Sequence, residues 1–314
     1  MSIFGALEKA FIENTLLNVY LCNMHKAGFV NIIGNPNAGK STLMNALVGE
    51  RISIITSKAQ TTRHRIMGIV NGDEFQVVYS DTPGILKPNY KLQEGMMQFV
   101  SSALADADIL LLVVDLTDDK LIEEETFERI KKINVPVMVL LNKSDLVIDA
   151  RIEEKEKRWR KELPDAEYIP VSALSGKNVE MVFKRILEIL PEHPAYYPKD
   201  ELTDKPEKFF VAEIIREKIL HNFQQEIPYS VEIVVEEFKE NDIIVKIRAV
   251  IFVVRESQKG ILLGHQGSAI KKLGTQARLD IEKFLQKKVF LELFIKVDKD
   301  WRDSERQLKR YGYL

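Results

Sequence analysis

Eight residues constrain this chain more than any others: Gly34, Asn35, Pro36, Asn37, Ala38, Gly39, Lys40 and Ser41. They follow the apolar run Gly28-Phe-Val-Asn-Ile-Ile33 and precede Thr42-Leu-Met-Asn-Ala-Leu-Val48. That order reads as a buried strand, a glycine-rich loop and the first turns of an amphipathic helix. The octapeptide fits the phosphate-loop pattern G-x-x-x-x-G-K-[ST]. Successive backbone N–H groups at a helix N-terminus make a positive concavity for phosphate oxygens. Gly34 and Gly39 permit backbone approaches that a Cβ would obstruct. Lys40 would reach the β- and γ-phosphates, and Ser41 would offer its hydroxyl to Mg²⁺. The plain alternative is an ordinary turn between a strand and a helix.

A length of 314 residues suggests about two domains. The apolar share of 45% can fill real cores, and the charged share of 29% is ordinary for a soluble chain. No apolar run is long enough to span a bilayer; Asp108-Ile-Leu-Leu-Leu-Val-Val-Asp115 reads as one buried strand. A single cysteine, Cys22, excludes a disulfide framework and fits a reducing cytoplasm. Residues 1–23 lack the basic start of a signal peptide and are broken by Glu8, Lys9 and Glu13. Met24 could be the real start, the leader then being a frayed helix or no part of the protein, and no function is assigned to it. The net charge of −2 hides an asymmetry: residues 206–314 carry 20 Lys and Arg against 17 Asp and Glu. That excess points to the second half of the chain as the place to look for a nucleic-acid contact.

Behind the loop helix, Ser57–Arg65 is polar and aperiodic and is expected to be a long, mobile loop. Thr61 and Thr62 lie where a nucleotide-sensing loop needs a hydroxyl for Mg²⁺, with Thr62 favoured. Ile66–Asn71 and Glu74–Ser80 read as paired strands turning at Asn71-Gly72. The second strand ends in Asp81, Thr82, Pro83 and Gly84. A carboxylate at a strand's C-terminal end beside a phosphate loop is where a Mg²⁺ ligand belongs. The Gly84 N–H could sense a γ-phosphate. Strands and helices then alternate: Ile109–Val114, Ile122–Ile133, Pro136–Leu141, Arg151–Leu163, a short strand ending in Ser172-Ala-Leu174, and Val179–Leu190. This repetition predicts an α/β domain with a mainly parallel sheet and helices on both faces.

Asn142-Lys-Ser-Asp145 selects the base. The Asp145 carboxylate can accept two hydrogen bonds from guanine's N1–H and amino group; adenine has no such pair of donors and would leave the carboxylate unpaired. Asn142 can bridge the base edge to the phosphate loop, the stem of Lys143 can cover the base plane, and the Ala173 N–H could meet the guanine carbonyl. With Ser172 and Leu174, these four stretches in this order resemble the translation-factor-related GTPases over about residues 27–190. That resemblance implies a P-loop GTPase domain holding GTP or GDP with Mg²⁺ through Ser41, Thr62 and Asp81. Lys40, Asn37, Thr62 and Gly84 would serve the hydrolysis. Two positions set the chain apart from Ras-like relatives. Ile85 stands where they carry a water-positioning Gln, so hydrolysis should be slow. Asn37 stands where some relatives carry an Asn associated with potassium, so a K⁺ could supply positive charge there.

Residues 191–206 contain four prolines and no period, and read as a linker between a 24–190 domain and a 207–314 domain. In the latter, Phe209–Phe223 reads as a helix with apolar Phe210, Ile214, Ile215 and Leu220 opposite charged Glu213, Arg216, Glu217 and Lys218. Two strands, Tyr229–Phe238 and Ile243–Val254, follow. A short helix breaks at Gly264, His265, Gln266 and Gly267, a second helix runs from Ser268 to about Gln286, and Val289–Val297 closes the domain as a strand. A G-x-x-G between two helices lets a sugar-phosphate backbone press on main-chain N–H groups. Lys259, Lys271, Lys272 and Arg278 add positive charge. The bland reading is a glycine-broken helix pair with a solvated face.

That order resembles a smaller α+β KH domain of the prokaryotic type, type II. The whole arrangement from 24 to 314 is similar to the Era family of bacterial ribosome-assembly GTPases. Also Era-like are Ser57–Arg65, Thr203–Pro206, Ala212–Lys218 and the closing Trp301–Arg306 with Gly312-Tyr313. The resemblance implies a monomeric switch that binds the 3′ end of small-subunit ribosomal RNA and helps the small ribosomal subunit mature, in the cytoplasm, with peripheral contact to the inner membrane. Two other readings stand beside it. One is a constitutive RNA-binding assembly factor whose nucleotide only holds the fold. The other is a small-molecule phosphoryl transferase, which would need an acceptor site the sequence does not display.

Overall fold

The computed structural model describes residues 25–314, so the leader 1–23 and the candidate start at Met24 lie outside the described residues. Six strands build the first sheet: β1 (Lys26–Gly34), β2 (Ile66–Asn71), β3 (Phe75–Asp81), β4 (Ile109–Asp115), β5 (Val137–Asn142) and β6 (Glu167–Pro170). Their order is β2-β3-β1-β4-β5-β6, and only β2 runs antiparallel to its neighbour. The strands are apolar on both faces because helices cover both. Under α1 (Lys40–Val48) and α5 (Val179–Ile189), Leu43, Met44, Val182 and Ile186 pack on Val30, Ile32 and Leu111. Under α2 (Lys91–Ala105), α3 (Glu124–Lys131) and α4 (Asp149–Glu162), Val100, Ile130 and Ile152 pack on Ile33, Leu110 and Leu112.

The parallel sheet, the helices on both faces and the hairpin at Asn71-Gly72 all correspond to the sequence reading. Helix α2, between Gly84 and β4, was not anticipated. The last strand of the sheet stops at Pro170, so Ser172, Ala173 and Leu174 lie in the following loop rather than on the strand.

The second unit is a three-stranded sheet, β7 (Glu232–Glu240), β8 (Ile244–Val253) and β9 (Lys288–Val297), with β7 antiparallel and β9 parallel to β8. Helices α6 (Glu207–Asn222), α8 (Glu256–Leu263) and α9 (Ser268–Leu285) close one face through Val211, Ile215, Leu262, Leu273 and Ala277. The strand expected from Tyr229 instead begins with a helical turn, α7 (Ile227–Ser230), before β7. A further short helix, α10 (Glu305–Arg310), belongs to the C-terminal stretch.

The linker is tied along its length rather than loose. Gln76 accepts from the Tyr196 and Tyr197 N–H groups, and the Ile69 N–H donates to the Leu202 carbonyl at 2.8 Å. It therefore covers the otherwise open β2 edge. The C-terminal stretch crosses back to the first unit, where Trp301, Leu308 and Tyr313 bury against Leu92 and Met96 of α2.

Candidate functional site: a nucleotide cavity and a G-x-x-G turn

A cavity of about 560 Å³ opens at the carboxyl edge of the first sheet, where α/β ligand sites form. Pro36, Gly39, Lys40 and Thr42 line one side, Asp145 and Ala173 the other, and Thr62 and Gly84 the rim. Helix α1 enters from Gly39 at φ 96°, with no side chain capping its first N–H groups. Those donors are left free for an anion. A Cβ on Gly39 would stand 2.2 Å from the Asn142 amide nitrogen, so this close approach requires glycine.

Around the phosphate loop the side chains converge. Lys40 is buried and donates to the Gly34 and Asn35 carbonyls at 3.1 and 2.9 Å. Burial pulls its ammonium down to about 8, against Asp81, which holds it up. The Ser41 hydroxyl donates to Asp81 Oδ2 at 2.6 Å and sits 2.9 Å from the Thr62 hydroxyl, which itself reaches the same Asp81 oxygen at 3.3 Å. Burial raises the Asp81 carboxyl above the usual carboxylate range, opposed by Ser41 and Lys40. Its other oxygen, Oδ1, is buried with no partner among the described residues. One orphaned carboxylate oxygen beside two hydroxyls suits a hard, oxygen-seeking cation such as Mg²⁺, which keeps some of its waters and shares phosphate oxygens. Thr61 is directed elsewhere, its hydroxyl bonding the Lys58 carbonyl and the Thr56 hydroxyl, each at 2.6 Å.

At the opposite end, the Asn142 amide donates to the Ala38 carbonyl at 2.7 Å, and its oxygen accepts from the Ala173 N–H at 3.0 Å. It thus staples the phosphate loop to the Ser172–Leu174 loop. The Ala173 N–H that the sequence reserved for a guanine carbonyl is held by Asn142 instead. Asp145 lines the cavity and takes no hydrogen bond from any described residue, so its acceptors are available. Leu174 is exposed on the rim, and Ser172 is buried, capping the Ser175 N–H.

Three sequence candidates sit differently from the rest. The Asn35 side chain turns away, donating to the Lys120 and Leu121 carbonyls. Asn37, at φ 63°, donates to the Ser57 carbonyl at 2.9 Å. Thr82 is buried and bonds the Ile32 carbonyl. Ile85 packs in the core, and no side chain at that position reaches the cavity. Pro83 and Gly84 complete the turn, where a Cβ on Gly84 would meet Pro36 at 2.7 Å.

The Ser57–Arg65 loop is irregular, as its sequence implies, yet it is pinned. The correction to the mobile reading comes from the second unit. Arg216 on α6 donates to the Thr61 carbonyl and, at 3.4 Å, to the Gln60 carbonyl, while pairing with Glu213. The Arg63 guanidinium, 1% exposed, donates to the Val231 and Pro228 carbonyls at 2.7 and 2.9 Å and faces Glu232 at 3.4 Å. His64 stacks on Tyr313 at 4.2 Å, and Tyr313 donates to Glu232 at 2.8 Å. Thr62 is therefore flanked on both sides by residues bonded to the other domain. Glu213, Arg216 and Glu217 recur at helical spacing as a charged stripe, a pattern that a solvated face would share; in the fold that stripe is buried. No periodicity separates these two cases.

On the second unit, Gly264 (φ 68°) and Gly267 (φ 77°) bracket exposed His265 and Gln266 in a tight 3₁₀ turn. Space beyond Gly267 is open. Lys271 and Lys272 are exposed in the first two turns of α9, with half-buried Lys259 on α8; none of the three forms an ion pair among the described residues. Arg278, two turns further along, is committed to Glu282 at 2.9 Å and stands apart.

Comparison with known proteins adds to this geometry. A family model described as 50S ribosome-binding GTPase matches residues 29–143, and a KH-domain model matches residues 226–302. The chain is 46% identical over 308 residues to chloroplastic GTPase ERA1 of Zea mays, covering 96% of this chain and 74% of that protein. It is 43% identical over 292 residues to GTPase Era of Thermoanaerobacter sp. (strain X514), covering 92% and 97%. Among solved structures, an Era in complex with MgGDPNP and nucleotides 1506–1542 of 16S ribosomal RNA superposes with a TM-score of 0.88, at 37% identity and covering 92% of this chain and 99% of that one. A variant of Aquifex aeolicus Era bound to GDP·AlF4⁻ gives 0.86, at 36% identity and with the same coverage.

Proposed function

Because the chain belongs to the Era family of GTPases, we propose that it works as a GTP-hydrolysing switch that binds the 3′ region of small-subunit ribosomal RNA and assists maturation of that subunit. The observation that carries the switch is the shared loop: Thr62 points at Ser41 and Asp81, while Thr61 and Arg63 on either side are bonded to the second domain. A change at the γ-phosphate that moves Thr62 must therefore strain or release contacts made by α6, α7 and β7.

In this reading Asp145 selects guanine, Lys40 and the free α1 N–H groups hold the β- and γ-phosphates, and Gly84 offers its N–H to the γ-phosphate. Ser41, Thr62 and Asp81 would hold Mg²⁺, which neutralises charge on the phosphate oxygens. Lys143 covers the base, and Ser172, Ala173 and Leu174 wall the far side. With Ile85 in the core, no side chain from that position orients water, so the intrinsic rate is slow. Asn37 would share in a K⁺ site, and equal rates in K⁺ and Na⁺ buffers would remove that part of the proposal. On the KH unit, Gly264–Gly267, Lys259, Lys271 and Lys272 receive the RNA backbone, and Arg278 contributes only by leaving Glu282.

The test is GTP hydrolysis with and without an oligonucleotide ending like the 3′ tail of small-subunit ribosomal RNA, in potassium buffer. The control is Gly264→Asp with Gly267→Asp, which places carboxylates where phosphates should lie. Stimulation by RNA that the control loses is the expected result; RNA that binds wild type no better than the control would overturn the RNA assignment. Equal RNA affinity with GTP, GDP and no nucleotide would favour the constitutive assembly factor instead. Action as a cytoplasmic monomer with peripheral membrane contact is part of the same proposal, checked by sedimentation and vesicle flotation. Among the described residues no helix is long and apolar enough to cross a membrane.

A further inference from the structure

Lys143 follows β5 in a left-handed conformation (φ 65°), and its stem lines the nucleotide cavity. A lysine in such a place has four rotatable bonds to immobilise each time a base arrives. Here its ammonium is already engaged, 2.5 Å from Asp115 Oδ2. Asp115 is the last residue of β4, in register with Asn142 on β5, so the sheet itself sets the carboxylate beside the Asn142–Asp145 loop. The second oxygen, Oδ1, accepts from the Thr117 N–H and hydroxyl at 2.8 and 2.7 Å. One oxygen is thus locked by its own turn and the other on Lys143. The pair is partly screened from water, with Asp115 14% and Lys143 30% exposed. The remaining carboxylates nearby, Asp118 and Asp119, are occupied by Lys120, Arg151 and Lys155.

We propose that Asp115 is a positioning residue for guanine-nucleotide binding: it pre-orders Lys143 over the base and keeps its ammonium from turning to Asp145, two residues on. It is not among the residues lining the nucleotide cavity and acts only through Lys143. The proposal rests on reading Asn142–Asp145 as the guanine-selecting loop. Because the base end is common to both nucleotides, loss of the anchor weakens GTP and GDP by the same factor. Freeing one long side chain that binding must then re-order corresponds to about 5- to 20-fold in affinity.

Stopped-flow release of fluorescent GDP and GTP tests this in the full chain, with melting temperature measured without nucleotide. Asp115→Asn keeps an acceptor for Thr117 and removes the anionic anchor; Lys143→Met keeps an apolar stem and removes the ammonium. The expected result is release of both nucleotides about 5- to 20-fold faster from Asp115→Asn, and a double variant that releases no faster than Lys143→Met alone. Asp115→Glu, which restores the charge, should recover most of the retention. Wild-type release rates in Asp115→Asn would overturn the proposal, as would effects that multiply in the double variant. So would an Asp115→Glu chain that regains melting temperature but not retention. Wild-type protein that fails to prefer GDP over ADP would instead sink the guanine reading itself.

Discussion

The two ends of the nucleotide cavity are built on different plans. The base end is made entirely within the first domain: Asn142 bonds the phosphate loop and the Ser172–Leu174 loop at once, and Lys143 is anchored on the neighbouring strand. The phosphate end is shared. Its Thr62 loop takes its bonds from Arg216 and offers Arg63, Lys58 and His64 to carbonyls and rings of the second domain. A rigid half that recognises and a divided half that can report are what a switch requires, since a ligand shifts an equilibrium only through contacts that differ between states. The difference also says where variants should act locally and where they should act on both domains.

The sharpest contrast comes from Asp145→Ala. On the proposed reading, two charge-assisted hydrogen bonds to guanine are lost, roughly 3–4 kcal/mol or about 10²- to 10³-fold in GTP and GDP affinity by titration. RNA affinity of the nucleotide-free protein should stay within about twofold, because no bond from this end reaches the second domain. A matching loss of RNA binding would break the comparison.

Arg63→Ala acts from the other end. It strips a buried guanidinium from two carbonyls and leaves Glu232 facing Tyr313 alone, a loss of about 3 kcal/mol for removing one partner of a buried pair. Thermal unfolding should drop accordingly and separate into two transitions, and any difference in RNA affinity between GTP and GDP states should vanish. Arg63→Lys should not rescue, since an ammonium cannot fork across Val231 and Pro228. A single transition with unchanged midpoint would mean that the first domain holds the loop unaided.

What could be read beforehand follows the same division. Gly34–Ser41, Asp81–Gly84 and Asn142–Asp145 are local patterns whose chemistry needs fixed residue types at fixed spacing, so these stretches could be named residue by residue, and the fold brings Ser41, Thr62 and Asp81 within hydrogen-bond reach of one another. The strands were legible because apolar runs bounded by turn residues have few other uses. Helix α2 escaped because its polar and apolar residues follow a proline-bearing stretch with no cap to announce it; Tyr90 stands at its N-cap without capping the first N–H groups, its hydroxyl donating to Gln60 instead. The interdomain clamp escaped for a deeper reason. Arg63, Arg216 and Glu232 are charged, and a charge buried by a partner far along the chain carries the same local signature as one in water. Asp115 likewise gains its meaning only from register with Asn142 across two strands.

The contact of the C-terminal stretch with α2 permits a smaller test. Gly95 sits inside α2, where alanine is normally favoured over glycine by about 1 kcal/mol. Here an added Cβ would lie 2.7 Å from the Tyr313 carbonyl, a backbone atom that cannot step aside without moving the Trp301–Leu314 strap. Gly95→Ala should therefore reverse the usual sign and destabilise by about 1–2 kcal/mol in denaturant melts. Nucleotide affinity should change little. A stabilised variant would mean the strap is loosely held.

The finest test is the pH dependence of the clamp, because two of its groups pull in opposite directions. Burial raises the Glu232 carboxyl from 4.5 to about 7, against Arg63, which holds it down. Its contribution to stability is complete below pH 4.5 and is lost as pH rises through 7. Burial lowers the His64 imidazole from 6.5 to about 4, so its contribution is complete above pH 6.5 and is lost as pH falls through 4. Between pH 4.5 and 6.5 the slopes oppose, and wild-type stability should vary by less than about 1 kcal/mol over that window. Glu232→Gln removes one arm, so this variant should lose about 1–2 kcal/mol as pH falls from 6.5 to 4.5. His64→Phe, which keeps a ring against Tyr313, should lose a similar amount as pH rises across the same interval. Equal, flat profiles for all three proteins would show that neither group is desolvated by the docked domains, and the buried contact between Arg63, Glu232 and Tyr313 would then have to open in solution.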